Sequence, residues 1–168
     1  AGTRRVADLV PGAGSSNPSL LVALGSRVVF NAYDPVHGTE AWSSDGTAAG
    51  TARLGDLTPG SGGSLIQAFY PASNAVYFFV SYGALWKTDG TAAGTALVSN
   101  QFSGTAYGAA ALGSTLVFAV RNSLLPGSSL WASDGTSGGT QVLRGGWTGY
   151  GVTELTAIGS NVWFQGSR

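Results

Sequence analysis

The chain has 168 residues, enough at roughly 100–200 per domain for one domain or one compact array of repeats. Its 8 Lys and Arg balance 8 Asp and Glu, and only 10% of residues are charged, far below the roughly 25% of ordinary globular proteins. Nucleic acids and acidic membranes are thereby excluded as partners, because counterion-releasing contacts need clustered cations and Arg4-Arg5 is the one adjacent pair. With 43% hydrophobic residues the chain can offset its ordering entropy, and 27 Gly with 6 Pro announce many tight turns. Cys and Met are both absent, which removes disulfides, metal–thiolate sites and thiol nucleophiles and leaves the compartment open. No apolar run approaches the roughly 20 residues that span a bilayer, so no membrane insertion is expected. The first residues lack a signal-peptide pattern, and a start at Ala1 without Met suits a processed product or an excised fragment.

Taken in order, the first unit predicts four short strands, over residues 4–8, 20–24, 28–33 and 40–43, with spacing too tight for helices. The apolar triplet Val28-Val29-Phe30 returns as Val76-Tyr77-Phe78, as Leu116-Val117-Phe118 and as Val162-Trp163-Phe164. Continuous triplets of this kind mark strands buried on both faces. After each of the first three triplets comes Trp-x-x-Asp-Gly-Thr: Trp42 with Asp45-Gly46-Thr47, Trp86 with Asp89-Gly90-Thr91, and Trp131 with Asp134-Gly135-Thr136. The three copies lie about 45 residues apart, and a period of about 40–50 with short strands predicts an all-β, β-propeller-like array of four-stranded antiparallel blades. The units fall at about 2–49, 50–93, 94–138 and 139–168 within a single repeat domain. Each Asp-Gly-Thr reads as a structural hairpin turn, with glycine at positive φ and aspartate bonding its own backbone. The three tryptophans read as core packing.

The segment Glu40-Ala41-Trp42-Ser43-Ser44-Asp45-Gly46-Thr47 resembles the consensus of the bacterial ELWxxDGT repeat family, and the resemblance covers essentially the whole chain. It implies a repeat module of large, typically exported bacterial proteins, secreted or at the cell surface, with no settled biochemical activity. The leading Glu-Leu is Glu40-Ala41 in the first unit, Ala84-Leu85 in the second and Ser129-Leu130 in the third, so a role needing that glutamate in every unit is not carried over. A looser likeness links the turn to the Asp-box of sialidase propellers, where it is structural.

Up-and-down connectivity sorts the loops into two rims. One carries the Asp-Gly-Thr turns and the short Gly25-Ser26, Gly113-Ser114 and Gly159-Ser160 turns. The other carries everything variable, and binding residues concentrate on loops held by a rigid scaffold. Phe102, Tyr107, Trp147 and Tyr150 fall on this second rim and are candidates for stacking on a sugar or anchoring a protein surface, against the alternative that they cover the core. His37, the single histidine, sits between Asp34 and Glu40 and reads as a turn residue, with a metal-ligand, acid–base or ligand-binding role as the alternative. One acid per Asp-Gly-Thr turn is too few for calcium, which takes six to eight oxygens, so no metal and no cofactor is expected.

No nucleophile elbow, zincin helix or phosphate loop is present, and Glu40 and Glu154, the two glutamates, fall in different units. The expectation is a non-catalytic extracellular binding or scaffolding module recognising a carbohydrate or a protein surface; the alternative is a sialidase-like glycoside hydrolase. The last unit, shorter than the others, is expected to lack one strand and to expose its edge. That predicts a homo-oligomer or membership of a longer repeat array, or else closure of the edge by residues 4–8.

Overall fold

The computed structural model describes residues 2–81, 83–102, 104–122, 127–147 and 151–166. Among these there is no helix; fourteen strands form four antiparallel sheets. The first sheet holds β1 (Ser19–Leu24), β2 (Arg27–Asp34), β3 (Gly38–Ser44) and β4 (Ala52–Arg53) in sequential order. The second holds β5 (Phe69–Pro71), β6 (Val76–Val80), β7 (Ala84–Thr88) and β8 (Ala96–Ser99), again in order. The third holds β9 (Gly104–Leu112), β10 (Thr115–Asn122), β11 (Ser128–Ser133) and β12 (Gln141–Trp147), and the fourth pairs β13 (Val152–Ile158) with β14 (Asn161–Gly166).

The sheets are offset from the sequence repeat by one strand. The segment after each Gly-Thr is the last strand of the sheet before it, as β4 on β3 and β12 on β11 show. For the same reason residues 4–8, expected as a strand, form none: they align with Ala52–Arg53 and Leu54, whose extended backbone depends on a preceding third strand to pair with. Leu54 N–H does pair in this way, donating to the Ala41 carbonyl at 2.8 Å.

Successive sheets stack face to face, and the period-2 alternation of strands explains how. In β6, Val76 and Phe78 point back to a cluster with Val29, Ala41 and Leu54 of the first sheet, while Tyr77 points forward to Leu116 and Phe118 of the third. In β10 the same alternation sends Leu116 and Phe118 backward and Val117 forward, to a cluster with Val152 and, less deeply buried, Leu155 and Val162. The two inner triplets thus serve two interfaces each; the first and the last, expected to be buried on both faces, are packed on one only, with Val28 and Trp163 exposed on the other. Full burial of a Phe or Leu stabilises by about 1.5–3 kcal/mol, so Phe78, Phe118, Leu85 and Leu116, all essentially inaccessible, dominate the core. The first strands of neighbouring sheets also touch, β1 on β5, β5 on β9 and β9 on β13, along one side of the stack.

Candidate functional site

The two rims differ in how their loops are held. On the first rim the three Asp-Gly-Thr turns repeat one hydrogen-bond network. Asp45 Oδ1 accepts from the Thr47 N–H at 2.9 Å and from its hydroxyl at 2.7 Å; Asp89 does the same with Thr91 at 2.9 and 2.7 Å, and Asp134 with Thr136 at 2.8 and 2.8 Å. The threonine oxygen then accepts from the glycine three residues on, Gly50, Gly94 or Gly139. The closing threonine, Thr51, Thr95 or Thr140, donates to the carbonyl of Thr47, Thr91 or Thr136 and meets Ser44, Thr88 or Ser133 at 2.7 Å.

This network explains the motif residue by residue. Gly46, Gly90 and Gly135 have φ of 89°, 88° and 87°, where a side chain is strained. Gly50, Gly94 and Gly139 are glycine for a different reason: a Cβ on any of them would collide with the aspartate carboxyl of its own turn. The threonine hydroxyl holds each of the three carboxyls below the usual aspartate range, with the threonine amide adding to the effect. Arg27, which follows the Gly25-Ser26 turn, donates to the Gly50 carbonyl at 2.9 Å and to Ser43 Oγ at 2.8 Å, so both kinds of turn share this rim.

The second rim carries the β2–β3 connection. In the β2–β3 connection, Asp34 Oδ1 accepts from the Val36 and His37 amides at 2.9 Å each and lies 3.0 Å from the His37 ring nitrogen Nδ1. Desolvation pushes the Asp34 carboxyl up, but the bonds from His37 and Val36 together outweigh it and hold it below the usual range. Gly38 follows with φ of 76°, and a Cβ there would meet the backbone of Ser61 and Gly63. His37 therefore belongs to a tight turn packed against the next loop.

Glu40 is the unexpected residue of this rim. Its carboxylate is wholly buried, accepting from Ser64 Oγ at 2.8 and 3.0 Å and from the Leu57 amide at 3.3 Å. With the Ser64 amide on the Thr39 carbonyl at 2.7 Å, it fastens the segment between the first and second sheets. Burial raises its pKa, and the Ser64 and Leu57 bonds oppose that only in part. Nothing in the sequence marked this role, because the tether spans two units and Glu40 has no counterpart in the others.

The aromatic candidates are placed in the core rather than presented to solvent. Phe102 is buried edge-on against Phe118 and Trp131, with ring centroids at 5.2 and 4.9 Å. Trp147 is buried against Val152 and edge-on to Phe164 at 6.1 Å, with the Arg144 guanidinium 5.3 Å from its ring centre. Tyr107 is half-buried against the same cluster, and Tyr150 lies outside the described residues. The expectation that Phe102 and Trp147 offer a ring face to a ligand is corrected: the next sheet packs on those faces.

The large apolar side chains that the rim exposes are Val36, Tyr33 and Leu65, beside exposed polar residues such as Asn17 and Ser61. Leu65 borders a shallow cavity of about 60 Å³ with Tyr70, Phe79, Gly83 and Thr105, room for a water or two and too small for a sugar ring. Glu40 lies in the first sheet and Glu154 in the fourth, so the structure does not join the two glutamates. Among the described residues no three His, Cys, Asp or Glu side chains are grouped to hold a metal, and no helix is long and apolar enough to cross a membrane.

No protein-family model matches the chain, and no curated protein matches it. Solved structures do. The chain is similar to the computationally designed Ika8 protein, with 20% identity over 94% of this chain and a TM-score of 0.57, and it spans 46%, about half, of that protein's length. It is similar also to the computationally designed Ika4 protein, with 19% identity, a TM-score of 0.56, and coverage of 95% of this chain and 98% of the other. At such identities the likeness shows the fold alone: an all-β stack of small antiparallel sheets.

Proposed function

We propose that this chain is a propeller-like repeat module of the ELWxxDGT type that acts outside the bacterial cell in binding or scaffolding, without catalysis. The observation that carries the reading is the fate of the titratable side chains on the variable rim: Asp34 and His37 are spent on a turn, and Glu40 is spent on a buried tether. A hydrolase would need two carboxyls facing a substrate about 5–10 Å apart. The exposed large side chains there, Val36, Tyr33 and Leu65, are apolar or uncharged and sit on loops and strand ends held by a packed stack. On the variable rim a protein surface is favoured over a carbohydrate, because Phe102 and Trp147 have their rings packed inside and the cavity bordering Leu65 is too small for a sugar.

Two assays test this. The chain should turn over no member of a panel of chromogenic glycosides; turnover abolished by Glu40→Gln or Glu154→Gln would establish the glycosidase reading instead. A glycan array should be blank, and a signal that disappears in Val36→Ser or Leu65→Ser with the fold intact would move the ligand class to carbohydrate.

A further inference from the structure

Three sheet–sheet interfaces in this molecule share one design, and the two outermost faces are its unmatched halves. Between the first and second sheets, Val22, Leu24 and Val29 meet Phe69, Val76 and Phe78. On the fourth sheet the residues equivalent to Val22, Leu24 and Val29 are Thr156, Ile158 and Trp163, and they face away from the third sheet because Val162 and Leu155 are the ones packed on it. Trp163 is 62% exposed and Ile158 60%. On the first sheet the residues equivalent to the receiving set are Leu21, Val28 and Phe30, on the face opposite Val29, and Leu21 is 63% exposed.

This receiving face is already half furnished. Val6 and Leu9 correspond to Leu54 and Leu57, which line the first internal interface, and with Pro18, Leu21, Val28 and Phe30 they border a predominantly apolar cavity of about 450 Å³. No strand of the first sheet packs substantially on β13 or β14, so the Trp163 face and this cavity do not meet within the described residues of one chain.

We propose that the Trp163 face of one chain docks into the Val6–Leu21–Val28–Phe30 cavity of a second copy, head to tail, making a fourth interface of the kind that joins the sheets internally. The occupant is a second copy because the exposed face presents a large aromatic and an aliphatic group where the internal interface places Val29 and Leu24, in the same register. Monomeric proteins rarely expose large contiguous apolar patches, and such patches mark interaction surfaces. A heterologous contact closes into a ring when its rotation permits. The reciprocal contact between two chains brings eight sheets together, within the roughly 4–8 blades of propellers, so this stoichiometry rests on the propeller-like reading. The association itself does not rest on the binding or scaffolding role.

Light scattering after size exclusion at tens of micromolar tests it, since one chain weighs 16.9 kDa. The wild type should elute at twice that mass, and Trp163→Glu and Leu21→Lys should each give a single-chain mass with an unchanged circular dichroism spectrum. Mixing the two variants should restore the two-chain mass, because the mixed pair keeps one wild-type contact and matches Glu with Lys at the other. A wild type of single-chain mass at every concentration overturns the proposal. So does an oligomer that survives Leu21→Lys, since a Trp163-to-Trp163 interface would not involve Leu21. If either variant is unfolded, Trp163→Ser and Val28→Ser replace it, with the same two outcomes. Glycan and glycoside assays on the wild type report separately on the functional reading.

Discussion

In β6, Val76, Tyr77 and Phe78 are all buried; in β14, Trp163, which stands where β6 has Tyr77 in a triplet of the same pattern, is 62% exposed. The two strands differ little in local design, since each follows a short turn and pairs antiparallel with the strand before it. What differs is the neighbours. β6 has a sheet on each side, whereas β14 has the third sheet on one side only. Burial of a β-strand face is therefore a property of the stack, and the triplet is a capacity for two interfaces of which β14 uses one.

The largest expected effect breaks that comparison at its buried side. Phe118→Ala, at a fully buried ring touching Phe79, Phe102 and Trp131, should cost about 3–5 kcal/mol in urea unfolding. Trp163→Ala, measured at a concentration low enough to hold the chain as a monomer, should change stability by less than about 1 kcal/mol. Equal losses at the two positions would mean that the fourth sheet is covered in solution as the second is.

A middle-sized effect concerns the repeated turns, which are alike in all three complete sheets while the opposite rim varies. Gly94→Ala puts a methyl into the Asp89 carboxyl and must break its bonds to Thr91, at about 1–3 kcal/mol by the cost of overpacking. Gly138→Ala, one residue before the equivalent glycine of the third turn, meets open space and should be nearly neutral by the same unfolding measurement.

Acid sharpens the contrast between the rims. Asp45, Asp89, Asp134 and Asp34 have lowered pKa values, so each stabilises the fold above the unfolded aspartate value near 4 and loses that contribution as the pH falls through the lower folded value. Glu40 has the opposite sign: its raised pKa means that the fold gains stability as the pH drops through the folded value toward the unfolded one near 4.3. The urea midpoint should therefore rise modestly on acidification above pH 4.3 and fall below pH 4. In Glu40→Gln the first change should vanish and the second remain.

The smallest effect compares two ends of the stack. Leu20 in β1 and Glu154 in β13 occupy equivalent positions at irregularities in strand pairing, with φ of 56° and 55°. A left-handed backbone costs an ordinary residue about 1–2 kcal/mol, and glycine's extra unfolded-state freedom returns part of that. Glu154→Gly should accordingly raise stability by about 0.5–1 kcal/mol in the same denaturant titration, and a loss would show that the pairing irregularity is held by the Glu154 side chain.

Much of this architecture was legible in the chain itself. Recurrence of Asp-Gly-Thr and of the apolar triplets specified short antiparallel strands and the sites of their turns, because a turn's φ requirements and a strand's alternation are local properties. The membership of each sheet was not local. Whether residues 4–8 form a strand depends on a third strand beside them, and whether Phe102 and Trp147 face solvent depends on the sheet that packs next. Glu40 makes the same point, since its tether to Ser64 and Leu57 joins two sheets and leaves no periodic trace. Hydrogen bonding along the chain set the turns and strands; only the tertiary stack decided which apolar faces were buried, because burial requires a partner surface that alternation prepares and does not supply.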